Sequence, residues 1–174
     1  MSDRTLQLLQ SLGCQQPSDA LKDGTIIDLR PTNTSSQDDD TEYAQTLLAE
    51  SRDAAIETYG AGSFCVGNVA DDPDVEDVAV VMDKDDITRA WEQMTKALQL
   101  DLSSFEEPKI ISCDLDGQAG IIKGSKLYNL LAGLEDIRKV NAATADDTLL
   151  LVAWIGKRKS TGTIVALLGA AETT

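Results

Sequence analysis

The stretch Asp147-Thr-Leu-Leu-Leu-Val-Ala-Trp-Ile-Gly156 holds the longest near-continuous apolar run in the chain. It lies between a polar start, Ala145-Asp146-Asp147, and a basic turn, Lys157-Arg158-Lys159. An apolar run without side-to-side alternation fits a strand covered on both faces, and periodicity alone leaves a short buried helix open. Read as a strand, it forms the centre of a sheet. After the basic turn, Thr163, Ile164 and Val165 are β-branched and favour a further strand over 161–168.

Moving upstream, Ser125 can cap a helix whose Leu127, Leu130, Leu131, Leu134 and Ile137 make one apolar stripe, with Arg138 and Lys139 near its negative end. Before it, Pro108 opens a strand over 109–113. Asp116-Gly117 supplies a tight hairpin turn, and residues 119–122 return as its partner. A second helix begins at Asp85-Asp86, which suit the N-cap, and runs to about Leu100 with Ile87, Trp91, Met94 and Leu98 on one face. Strands are expected over 63–70 and 75–82, the first interrupted by Gly67, with Asp71-Asp72-Pro73-Asp74 as the turn between them. A helix from Thr41 to Gly60 carries Ala44, Leu47, Leu48, Ala55 and Tyr59 at helical spacing.

The first 40 residues are less regular. Leu6, Leu9 and Leu12 share a helical face that Gly13 would end, residues 24–30 fit a brief strand, and 33–40 is polar and reads as a flexible loop. We therefore expect residues 1–40 to be a partly flexible N-terminal arm and 41–174 a single domain. From residue 41 the order is helix, two strands, helix, two strands, helix, two strands. That order predicts an α+β fold: a mainly antiparallel sheet of five to seven strands with three main helices packed on it. In element order alone the chain resembles small α+β dimerisation modules such as roadblock-type domains and secretion chaperones. The likeness carries no matching motif.

Composition narrows the function classes. The hydrophobic fraction of 42% and charged fraction of 26% are those of an ordinary globular domain. No apolar window reaches the ~18 residues that span a bilayer, and Met1-Ser-Asp-Arg-Thr has no features of a leader, so a cytoplasmic protein is expected. Cys14, Cys65 and Cys113 are about 50 residues apart, which suits reduced thiols better than disulfides or a zinc site. The absence of histidine removes Ser-His-Asp, Cys-His and His-based metal chemistry.

Charge is unevenly placed. Residues 1–107 carry 23 acidic and 7 basic side chains, whereas 108–174 carry 7 and 8. Only Lys157, Arg158 and Lys159 cluster as cations, so direct binding to nucleic acid or anionic lipid is not expected. The acidic set Asp71, Asp72, Asp74, Glu76 and Asp77, together with those three cations, are the candidate protein-interaction residues. As a calcium loop the acidic set fails, because position 6 from Asp72 is Asp77 where glycine belongs and position 12 is Asp83 where glutamate belongs. Residues 156–163 resemble a phosphate loop, but the glycines are one residue too far apart and no lysine follows the second.

One string carries possible chemistry. Ile110-Ile-Ser-Cys-Asp-Leu-Asp-Gly117 resembles the first motif of haloacid-dehalogenase-type phosphatases. That resemblance implies a magnesium-dependent phosphate-processing enzyme with Asp114 as nucleophile and Asp116 as general acid and base. Gln118 stands where that family has Thr or Val, and 57 residues after Gly117 are too few for its remaining motifs. Asp-Gly serves a turn equally well. The leading expectation is a non-enzymatic, acidic protein-protein interaction module without a cofactor, acting as a homo-oligomer or complex subunit. The alternatives are the phosphatase and an acidic mimic of nucleic acid that inhibits a basic protein.

Overall fold

A computed structural model describes residues 4–15, 26–30, 37–69 and 75–173. The elements in chain order are α1 (Arg4–Ser11), β1 (Ile26–Asp28), α2 (Gln37–Tyr59), β2 (Val78–Met82), α3 (Ala90–Ala97), β3 (Lys109–Ser112), α4 (Lys126–Ala132), β4 (Leu134–Ala143), β5 (Leu149–Arg158) and β6 (Ile164–Glu172). The fold is α+β. Six strands form one mixed sheet in the order β1-β2-β6-β5-β4-β3, antiparallel throughout except for β1 beside β2. A parallel pair needs a crossover, and α2 provides it.

The doubly covered run lies where its composition puts it. β5 sits between β4 and β6, and residues 151–156 are all buried. Alternate side chains enter two cores. Ala153 and Ile155 join Val80, Ala166 and Leu168 beneath α1 and α3, with Leu9, Trp91 and Met94. Val152 and Trp154 join Val81, Val165 and Leu167 beneath α2 and α4, with Leu47, Leu127 and Leu131. Each valine, leucine, isoleucine or methionine among them contributes ~1.5–3 kcal/mol on full burial. Two cores sharing one sheet therefore make β5 and β6 the least replaceable elements.

Three expectations are corrected. The helix expected from Ser125 to Lys139 ends after one cap and two turns: Ser125 Oγ accepts the Tyr128 N–H, and α4 stops at Gly133, after which the chain runs as β4. Leu134 and Ile137 mimic helical spacing because β4 is bulged between Glu135 and Arg138, with Asp136 at φ 54°. A bulge inserts one residue, so positions three apart face the same side of the sheet. Residues 119–122 do not pair with β3. β4 takes that place, matching Ile110 with Val140 and Ile111 with Lys139. Residues 63–69 form a turn instead of a strand, wrapped around the carboxylate of Asp77.

The segment 33–40 also differs from the loop reading over its described residues, since α2 begins at Gln37. Of the residues before 41, β1 pairs with β2, α1 lies on β6, and Asp40 is fully buried. Asp40 ties three elements together. Its Oδ2 accepts Arg30 Nη1 at 2.8 Å and Thr163 Oγ1 at 2.7 Å, and its Oδ1 accepts Arg158 Nη1 at 2.6 Å and Thr161 Oγ1 at 2.9 Å. Arg158 also reaches Asp39 and lies 4.2 Å over the Tyr43 ring, while Arg30 is held on Asp28. Burial opposes ionisation of Asp40, but the hydrogen bonds from Thr163, Arg158 and Thr161 outweigh it and leave its pKa below the ordinary value.

Removing one partner of a buried ion pair leaves an uncompensated charge, so Asp40→Asn should lose ~3–5 kcal/mol of unfolding free energy in urea. Asp39→Ala, at an exposed pair, should lose under about 1 kcal/mol. Because the folded pKa of Asp40 is depressed, its contribution is present above the unfolded value of about 3.9 and is lost as pH falls through the lower folded value. The acid limb of a stability-against-pH profile should therefore flatten in Asp40→Asn.

Candidate functional site

β3 is the outermost strand, and all four of its residues are exposed. Edge strands present unpaired backbone groups to other chains. The Cys113 N–H donates to Ile137 O across the β3–β4 ladder. Backbone direction alternates along an antiparallel strand, so Lys109 and Ile111 also bond inward while the N–H and C=O groups of Ile110 and Ser112 face the open side. Ile110 is 43% exposed and Ile111 55% exposed, one on each face of the sheet. Exposed carboxylates flank the strand: Glu106 and Glu107 before it, Asp114 and Asp116 after it. None of the four is in an ion pair among the described residues.

Asp114 and Asp116 sit in the turn that leaves this edge. The Asp114 carboxylate accepts the Asp116 N–H at 3.1 Å, and the Tyr128 hydroxyl donates to Asp116 at 3.4 Å. Gly117 follows at φ +83°, with open space around it. This is an Asx turn closed by a left-handed glycine. Among the described residues no group of three acids or thiols is placed to hold a metal ion. Lys126 is paired with Glu50, and Asp146 accepts from the Thr144 and Thr148 hydroxyls in the β4–β5 hairpin. The four side chains are thus occupied in separate local structures.

The candidate interaction residues are dispersed. Asp71, Asp72 and Asp74 lie outside the described residues. Glu76 pairs with Arg52 at 2.8 Å. Arg158 is turned inward onto Asp40, Lys159 donates to the Ala132 carbonyl at 2.8 Å, and Lys157 lies at the end of β5 opposite Glu135.

Asp77 is only 4% exposed and organises the turn that precedes it. Its carboxylate accepts Ser63 Oγ, the Phe64 N–H at 2.8 Å and the Cys65 N–H at 3.1 Å. Burial nevertheless pushes its pKa up, and these bonds only partly offset it. Gly169 on β6 makes room for the arrangement, because a Cβ there would stand 2.7 Å from Asp77 Oδ1 and 3.0 Å from Cys65 Cβ.

This turn also walls a cavity of about 230 Å³ over the sheet, with Trp154 and Lys139 on its floor. The Tyr59 ring stands 3.4 Å from where a Cβ on Gly67 would lie, and its hydroxyl donates to the Ala119 carbonyl at 3.4 Å. The sequence places Trp154 in the central strand and Lys139 near the end of an expected helix, which keeps the two apart. Their pairing follows from the β4–β5 register, which depends on the unforeseen bulge.

Comparison with protein-family models and with curated proteins finds no match. Among the described residues no helix is long and apolar enough to cross a membrane.

Cys65 and Cys113 should differ in reactivity. Burial raises Cys65 well above the ordinary thiol value, with Asp77 adding to the effect, whereas burial raises the half-buried Cys113 against an opposing pull from Lys139. Only the thiolate is a nucleophile. In the native protein near neutral pH an alkylating reagent should therefore label Cys113 ahead of Cys65, and Cys65 should react only under unfolding conditions, as read by peptide mass spectrometry.

Proposed function

We propose that this chain is a protein-binding module that receives an extended segment of another protein along the open edge of β3. The observation that carries the proposal is the exposed pair Ile110 and Ile111 on a strand whose outer backbone groups have no partner strand among the described residues. Strand addition takes its affinity from main-chain hydrogen bonds and its specificity from alternate side chains. An incoming strand here would meet apolar contacts on both faces of the sheet.

Charge favours a different protein over a second copy. Only residues of like backbone direction can oppose each other across an antiparallel pair, so a two-fold axis at Ile110 would set Glu106 of each copy opposite Asp114 of the other, and one at Ile111 would set Glu106 opposite Asp116. Directly opposed like charges destabilise strand pairs. A segment with two or three alternating apolar residues flanked by lysine or arginine would instead neutralise Glu106, Glu107, Asp114 and Asp116. The net charge of −15 would speed the approach of such a partner, in a salt-dependent way.

Proline tests the reading without breaking the ladder to β4, because it is tolerated where an edge N–H faces outward. The tagged protein should retain a stoichiometric partner from native lysate after a moderate-salt wash, and Ile110→Pro should lose it while keeping the wild-type melting temperature. In the purified complex, hydrogen exchange at Ile110 and Ser112 should slow by roughly tenfold or more. A partner retained equally by Ile110→Pro would overturn the assignment to this edge. A homodimer in sedimentation that Ile110→Pro dissociates would replace the basic segment with a second copy.

A further inference from the structure

The cavity over Trp154 has two hydrogen-bond donors without acceptors among the described residues. The Trp154 indole N–H is buried and makes no hydrogen bond among the described residues, although the residue is only 6% exposed. Lys139, whose ammonium lies 6.0 Å from the centre of the same ring, is in no ion pair among the described residues. Buried indole N–H groups usually find a partner, and a donor left without one costs about 1–3 kcal/mol. Tyr59, Phe64 and Val66 give an apolar side, the side-chain amides of Asn68 and Gln118 accept from neither donor, and among the described residues no carboxylate lines the cavity although the chain carries 30 acidic residues. Asp77, behind the Phe64–Cys65 wall, is already occupied by its own turn.

We propose that this cavity binds a small organic carboxylate, whose oxygens accept from Lys139 Nζ and Trp154 Nε1 and whose apolar body packs against Tyr59, Phe64 and Val66. A carboxylate offers an acceptor oxygen to each donor, and charge-assisted bonds of this kind are about twice as strong as neutral ones. The size of the cavity limits the ligand to a metabolite below the ordinary range of drug-sized sites. The proposal is independent of what occupies the β3 edge.

The experiment is a titration of the full chain with acetate, benzoate and phenylacetate, following the Trp154 indole ¹H–¹⁵N resonance. That resonance is assigned by its disappearance in Trp154→Phe and its persistence in Trp91→Phe. Benzamide and inorganic phosphate are the controls, one removing the charge and the other the apolar body. Saturable movement of the Trp154 signal with benzoate or phenylacetate is expected, weakened roughly tenfold or more in Lys139→Met, which keeps most of the apolar stem over the ring. No saturable shift with any of the three acids would mean that the indole meets a bound water only, and would overturn the proposal. So would equal shifts with benzamide or phosphate, or an unchanged affinity in Lys139→Met. Neither result bears on partner capture by β3, so the two readings stand or fall separately.

Discussion

The carboxylate of Asp40 is the constraint on which the arrangement of this fold depends. It stands on the first turn of α2 and holds Arg30 after β1, Arg158 at the end of β5, and both threonines that lead into β6. Those contacts fix the start of the crossover helix against the end of the β5–β6 hairpin, and so fix how α2 crosses the sheet. With the helix placed, Ala44 and Leu47 fall on the face formed by Val81, Val165 and Leu167. A hydrophobic pair at the same site could be as stable, since the desolvation of buried ions offsets much of their attraction. What the ionic cluster adds is direction: two guanidinium groups and two hydroxyls converge on one carboxylate in only one mutual placement. Tyr43 completes it, stacked under Arg158, its hydroxyl donating to the Leu130 carbonyl and burial pushing its pKa up to about 12.

Stabilisation is concentrated at the centre and the β1 side of the sheet, and the proposed binding edge lies on the other side. β2, β5 and β6 carry nearly unbroken burial, whereas β3 carries none. β3 has three of the usual protections of an edge: a short length, a proline before it, and Lys109. Two consecutive isoleucines contradict those protections. An edge kept short enough to resist aggregation, yet apolar on both faces, suits selective pairing with a segment that supplies the matching register.

Legibility in the sequence followed how far each signal was local. β5 was readable because a strand covered on both faces needs no alternation, and α3 because Asp86 caps the turn that leads into it, accepting the Thr88 N–H. β4 was misread because a single left-handed residue, Asp136, converts strand spacing into an i, i+3 pattern that α-helices share. The turn at 63–69 was misread because its apolar residues are buried by wrapping around Asp77, an anchor over ten residues away in the chain. The β3 edge contains residues that had been read as one half of a local hairpin. Only the long-range pairing with β4 shows that its other side is open.

The same residue type therefore does unrelated work along this chain, which is why charge counting gave a poor map of it. Asp40 and Asp77 are buried and satisfied, one with its pKa held down by donors and the other with its pKa raised by burial. Asp86 caps a helical turn, Asp114 closes an Asx turn, and Asp146 organises a hairpin. Glu50 and Glu76 are matched by Lys126 and Arg52. After these internal roles are subtracted, net charge is a weaker guide to recognition than the identity of the charges left without counter-ions. Those flanking β3 are such a set, and they stand beside the strand with unpaired backbone groups. Over a distance of about 8–10 Å at physiological salt, charges that close act on the same approaching segment that the strand would pair. Electrostatics and strand addition would thus act on one partner in sequence, the carboxylates on its arrival and the backbone on its residence.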